Sequence, residues 1–325
     1  MFHVTSQQTH FIKGFAIILI FVYHCFGFLQ LQNYLCGQIG VELFLIASGY
    51  GLAQSIDKYP NAFSFMKKRV TQLFPKYLVT LLAICAVFGH FSSTDFLMHI
   101  TFLNGLFSPY FFGIDNAFWF MSMIFLCYLL VAIVWQLSLE RFFLLFGIGL
   151  YILLTQVYSH NDTILTHLVL RIPTFVFAYW FSRFWCTPNR QFLNRNNTAD
   201  AIAVVAFYVT AYFFTFGLFY HLGITLSLLS VLFALSRITP INKACTLVGV
   251  YSYEIYLVHD PALKYIAQVM ARDNALHGAT RIIVLFVSGI TLTIALTCIL
   301  VYGFKLFSNL KLAAAKRLFN GVGVR

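Results

Sequence analysis

FIKGFAIILIFVYHCFGFL, residues 11–29, decides what kind of protein this is. Apart from Lys13 and His24 every side chain in it is apolar or small, and as a helix it rises about 28 Å. That is the thickness of a bilayer's hydrocarbon core. A secretory leader has a similar outline. Here, however, His24 interrupts the apolar run and no small-x-small cleavage site follows, so the segment reads as a retained membrane helix.

The rest of the chain agrees. Of 325 residues 60% are hydrophobic and 10% charged, with a mean hydropathy of +0.82. A soluble domain of this size needs more charge to cover its surface. Aromatics make up 18%, mostly Phe, as lipid-facing helices and interfacial belts require. Apolar stretches predict about ten spans: 11–29, 39–56, 73–92, 117–137, 141–157, 164–186, 200–220, 222–238, 245–270 and 280–307. The stretch 61–72 reads as an amphipathic lead-in on the membrane surface. The stretch 93–116, broken by Asp95, Asn104, Pro109 and Asp115, reads as a surface loop or a shallow re-entrant segment. With no internal repeat, residues 1–325 read as a single domain, an all-α polytopic membrane bundle.

Ten spans put both termini on one side, and basic residues choose the side. With the N-terminus inside, seventeen of the 21 Lys and Arg face the cytoplasm, three face out, and Arg171 lies within a span. The same bias explains the net charge of +11 without nucleic acid, since no basic stretch is long enough to form a binding domain. None of the seven cysteines forms a CxxC pair and most sit in apolar runs. They read as small buried side chains rather than a disulfide framework or metal site.

Ionisable groups inside a bilayer cost about 2.5–3.5 kcal/mol each on insertion scales, so those retained are functional candidates. They are Lys13, His24, Glu42, Arg171, Glu254, His259 and Asp260. Lys13 and His24 are about three turns apart on one face of the first helix. Lys13 either serves a ligand or snorkels to the headgroups. Glu42 falls at about the depth of His24, where a carboxylate would orient an imidazole as general base. The cluster Lys67, Lys68, Arg69 and Lys76 lies at the opposite, cytoplasmic surface. It reads either as an ordinary positive-inside cluster or as a site for the phosphates of an anionic donor.

KGFAIILIFVYH (13–24) followed by GVELFLIASGY (40–50) resembles the opening of the acyltransferase-3 family of membrane acyltransferases. The resemblance continues in RVTQLFPKY (69–77), FWFMSMIF (118–125), RIPTFVFA (171–178) and YSYEIYLVHDP (251–261), in the family's order. It implies transfer of an acyl group, usually acetyl from cytoplasmic acetyl-CoA, to a hydroxyl of a cell-surface or lipid-linked glycan. It also implies a multi-pass place in the bacterial cytoplasmic membrane, and no metal. The family's basic residue and His map onto Lys13 and His24, its acidic residue onto Glu42, its R-x-P Arg onto Arg171 and its late His onto His259. Lys13 stands where the family usually has Arg, losing the planar fork that grips a phosphate bidentately. Gln72 replaces a further common Arg. The expected catalytic pair is therefore His24 and Glu42. Lys13, Arg171 and His259 are expected to bind substrate, and Lys67, Lys68, Arg69 and Lys76 to bind CoA. The competing class is a transporter or flippase for a lipid-linked sugar, which inverted repeats around a midplane site would mark.

Overall fold

The computed structural model describes residues 5–31, 34–89, 92–157, 164, 167–185, 225, 228–229, 231–272 and 278–321. The predicted span 200–220, the first part of 222–238 apart from residues 225 and 228–229, and Cys186, Arg190 and Arg195 lie outside these residues. Ten α-helices are followed here: α1 (Ser6–Phe28), α2 (Tyr34–Ala53), α3 (Ala62–Phe88), α4 (Ser93–Ile100) and α5 (Trp119–Gln136). The others are α6 (Phe143–Val157), α7 (Ile172–Trp185), α8 (Thr239–Val250), α9 (Ser252–Met270) and α10 (Gly278–Gly321). No strand occurs among the described residues. Among the described residues five helical segments are long and apolar enough to cross a membrane: α1, Cys36–Ala53 of α2, α3, α5 and Gly278–Leu310 of α10.

Local chemistry starts these helices where the sequence supplies caps. Thr5 and Gln8 form a reciprocal capping box at the head of α1, with the Thr5 side chain accepting from the Gln8 amide. Asn61 caps α3 by accepting from the Ser64 amide at 2.9 Å. The predicted surface lead-in 61–72 and span 73–92 are in fact one continuous helix, α3, with Pro75 in its interior. Proline forfeits one ladder bond there and does not end the helix.

Packing in the middle of the bundle depends on bare backbone. A Cβ on Gly14 would run into the Cys245 carbonyl, and one on Gly249 into the His10 carbonyl. The two contacts are reciprocal, so α1 and α8 cross at backbone distance, and Gln7 reaching Asn242 at 3.4 Å shows that they run in the same direction. Gly49 of α2 does the same against α7, where an added Cβ would lie 2.7 Å from the Phe175 carbonyl oxygen. The predicted span 245–270 requires correction: it breaks at Tyr251, whose non-helical backbone ends α8 directly after Gly249 and lets α9 begin at Ser252. The apolar pattern runs unbroken through this point, so no hydropathy signal marks it.

Helix α3 runs alongside α9 in the same direction. Lys76 pairs with Glu254 at one end, and the Lys264 ammonium lies 4.8 Å from the Phe88 ring centre at the other. Between α3 and α5 the segment 92–118 is packed inward rather than laid on the surface. Phe111, Asn104 and Asp115 are buried. Tyr77 donates to the His99 carbonyl at 3.1 Å, Ser122 donates to Asn104 at 2.6 Å, and Tyr256 donates to the Ala117 carbonyl. These bonds tie the segment to α3, α5 and α9, and they place Asp115 and Asn116 beside the polar end of the bundle.

Candidate active site

His24 sits one turn from the end of α1, with its side chain 15% exposed. Its Nδ1 lies 2.6 Å from Oδ1 of Asp260 on α9, whose side chain is 1% exposed. A carboxylate there favours the proton on Nδ1 and leaves Nε2 with the lone pair, the arrangement a general base needs. His259, next to Asp260 in sequence, packs its ring edge against His24 at 4.9 Å between centroids. Its Nδ1–H donates to the Tyr256 carbonyl at 2.7 Å, so Nε2 carries the lone pair, buried and without a partner among the described residues.

Glu42, expected beside His24, has a different neighbour here. Glu42, 1% exposed, faces Arg171: its Oε1 lies 3.9 Å from the guanidinium. Arg171 occupies the turn before α7, where Nη1 also donates to the Gln38 carbonyl at 3.4 Å and the guanidinium lies over the Trp119 ring at 5.4 Å. Its Nε has no partner among the described residues. Depth placed Glu42 level with His24. Rotation about α2, which depth does not reveal, turns it toward Arg171 instead.

His24, Arg171 and Asp260 line one polar cavity of about 490 Å³, together with Tyr23, Gln38 and Asn116. Trp119, Phe112 and His167 form its aromatic wall, with the His167 ring 5.3 Å from Trp119 and 5.7 Å from Phe112. Asp115 stands behind Asp260 in the loop before α5. Burial first, and then the charge of Asp260, hold its carboxyl well above the usual carboxylate range. One of its oxygens accepts from the Ala117 amide at 2.9 Å.

The remaining expected residues sit at the other end of the bundle. Lys13 is half-buried two helical turns in, about 16 Å along α1 from His24 and close enough to Arg69 for their charges to repel. Lys67 and Lys68 are exposed on α3. Arg69 is not free in this way: its guanidinium lies 5.2–6.0 Å from the ring centres of Phe65, Tyr128 and Tyr59. Lys76 is committed to Glu254. Asp115 escaped the sequence reading as a site residue, and Asp260 stood among the ionisable candidates without an assigned role. Asp260 carried a usable signal, a carboxylate within an apolar span beside His259. Asp115 carried only the interruption of an apolar stretch.

A family model described as an acyltransferase domain matches residues 9–302, nearly the whole chain, including His24, Glu42, Arg171, His259 and Asp260. The chain belongs to the acyltransferase-3 family. It is 25% identical over 284 residues to a protein of Acidianus two-tailed virus named "Putative acetyltransferase ORF330", covering 79% of this chain and 84% of that protein. No solved structure matches. Membership in the acyltransferase-3 family supports an acyl-transferring enzyme, and the His24 cavity brings His24, Arg171 and Asp260 together. Among the described residues no three His, Cys, Asp or Glu are grouped to hold a metal.

Proposed function

We propose that this enzyme transfers an acetyl group from cytoplasmic acetyl-CoA to a hydroxyl of a cell-surface or lipid-linked glycan, with His24 as general base and Asp260 orienting it. The observation that carries the reading is the His24–Asp260 contact at 2.6 Å on the wall of a polar cavity inside an otherwise apolar bundle. In this reading the chain is one domain of about ten spans in the cytoplasmic membrane, both ends inside, with the His24 cavity in the outer half. The charge bias supports that orientation.

The chemistry follows from the groups present. Nε2 of His24 takes the proton of the sugar hydroxyl while its oxygen attacks the thioester carbonyl. Negative charge builds on the carbonyl oxygen, and Arg171, fixed by Glu42 and Trp119, supplies the cation that stabilises it. Collapse breaks the carbon–sulfur bond. The imidazolium returns its proton to the departing CoA thiolate, giving the sugar ester and CoA thiol. Lys13, Lys67 and Lys68 attract the phosphates of the donor at the cytoplasmic mouth, while Arg69 and Lys76 shape that mouth through the aromatic cage and Glu254. His259 packs against the face of the base.

The test supplies acetyl-labelled CoA to membranes holding the protein or its His24→Ala variant and follows label into glycan. Incorporation by the parent and its loss in the variant are expected. Equal incorporation by both would remove His24 from the chemistry, and none with either would favour the transport reading.

A further inference from the structure

The side of α9 turned away from His24 bounds a second and larger cavity, of about 690 Å³. Three helices form it: Val79–Phe88 of α3, Val258–Tyr265 of α9 and Leu292–Phe307 of α10. Only Thr80 and Tyr265 among its lining residues carry a polar side-chain atom, and the Thr80 hydroxyl is spent on the Lys76 carbonyl at 3.0 Å. The α10 wall from Leu292 to Phe307 is about 22 Å long, enough for a long hydrocarbon chain.

One end of this groove is charged. Phe88, the last residue of α3, lines it, and the Lys264 ammonium sits 4.8 Å from the centre of that ring. Lys264 is half-buried, next to the lining residue Tyr265 and one helical turn beyond Asp260 on the same side of α9. It is also within electrostatic reach of Asp115, whose neighbour Asn116 lines the His24 cavity. The cationic end of the apolar groove and the polar cavity thus adjoin at one level of the bundle. A ligand with a long chain, an anion and a polar head matches that sequence of surfaces: carbon, cation, hydrogen-bonding cavity.

We infer that the groove between α3, α9 and α10 holds the hydrocarbon chain of a lipid-phosphate-linked sugar, its phosphate on Lys264 and its sugar beside His24. The inference rests on the acyl-transfer reading for the sugar's fate, but the lipid site itself is testable without turnover. The membrane then supplies the acceptor laterally, and the chain's seat fixes how far the sugar extends from Lys264 toward Asn116 and His24.

The full-length protein in phosphatidylcholine nanodiscs would be irradiated with a polyprenyl monophosphate carrying a diazirine on its chain. Labelled peptides would be mapped with and without excess neutral polyprenol. Labels on α3, α9 and α10, displaced at least tenfold less well by polyprenol than by unlabelled polyprenyl phosphate, are expected. Ala262→Trp, which fills the groove, should cut labelling at least tenfold. Lys264→Gln should weaken capture several-fold and erase the preference for phosphate. Ala83→Trp on the facing helix is the second filling variant, used if Ala262→Trp does not elute as the parent does. Labels elsewhere, equal displacement by polyprenol, or indifference to a folded filling variant would overturn the proposal. His24→Ala should capture the probe as the parent does. A parent that captures the probe in nanodiscs but transfers no label from acetyl-CoA in membranes that hold the glycan acceptor would sink the acyl-transfer reading and leave the lipid site standing.

Discussion

Asp260 and Glu42 are both buried carboxylates, yet the structure gives them different partners, His24 and Arg171. Asp260→Asn keeps the shape and removes the charge on His24. It should lower kcat on the order of 100-fold with little change in the KM for acetyl-CoA. Combining it with His24→Ala should cost little beyond His24→Ala alone, since the two act as a unit. A loss in the double variant equal to the product of the single losses would separate them. Arg69 gives a second residue-scale test, because its cage of Tyr59, Phe65 and Tyr128 makes it structural where charge alone suggested donor binding. Arg69→Ala should cost about 2 kcal/mol of stability, read by thermal unfolding in detergent. Lys67→Ala should instead raise the KM for donor and leave unfolding unchanged. Arg69→Lys should not restore the parent, because an ammonium lacks the planar face that stacks on rings.

Among the elements, the α1–α8 crossing places both the base and its partner. Gly14 and Gly249 let the two backbones touch, and the break at Tyr251 just after Gly249 sets the direction in which α9 carries His259 and Asp260. Gly249→Leu would force a branched side chain into the His10 carbonyl. It should destabilise the fold by more than about 2 kcal/mol, seen as a lower unfolding temperature and a lower yield of monodisperse protein. Gly303→Leu, where an added Cβ meets nothing within 4 Å, is the matched control and should unfold as the parent does. The helices themselves were legible: the first span, predicted at 11–29, is observed as Ser6–Phe28, and the fourth, predicted at 117–137, as Trp119–Gln136. The break at Tyr251 and the fusion of 61–72 with 73–92 were not. Hydropathy reports only what a residue prefers to touch, whereas both features depend on backbone contacts and on which ladder bonds a proline gives up.

For the whole molecule the open quantity is orientation, and the charge bias sets it against a measurable alternative. In a cysteine-free background Arg272→Cys should react with a membrane-impermeant maleimide added to intact cells. Lys68→Cys should react only after the cells are opened. Reactivity in the reverse order would turn the bundle over and place the His24 cavity on the cytoplasmic side. The clasp of Arg183 with Asp57 and Glu140 acts at this scale too, joining the end of α7 to the turns that follow α2 and α5. It is partly exposed, so Arg183→Ala should cost only about 1 kcal/mol in the same unfolding assay.

Composition, span length and charge bias were enough to give a membrane bundle, and ordered motifs were enough to give its family, because both are properties of the chain read along its length. The sequence also determined that His24 and Asp260 would be costly inside a bilayer and therefore needed partners. That they are each other's partner was decided only by tertiary structure. They stand 236 positions apart, and the contact depends on two glycines that let α1 and α8 touch and on a break that aims α9. Rotation about a helix axis also leaves no trace in hydropathy, so depth along the chain could not show that Glu42 turns to Arg171 rather than to His24.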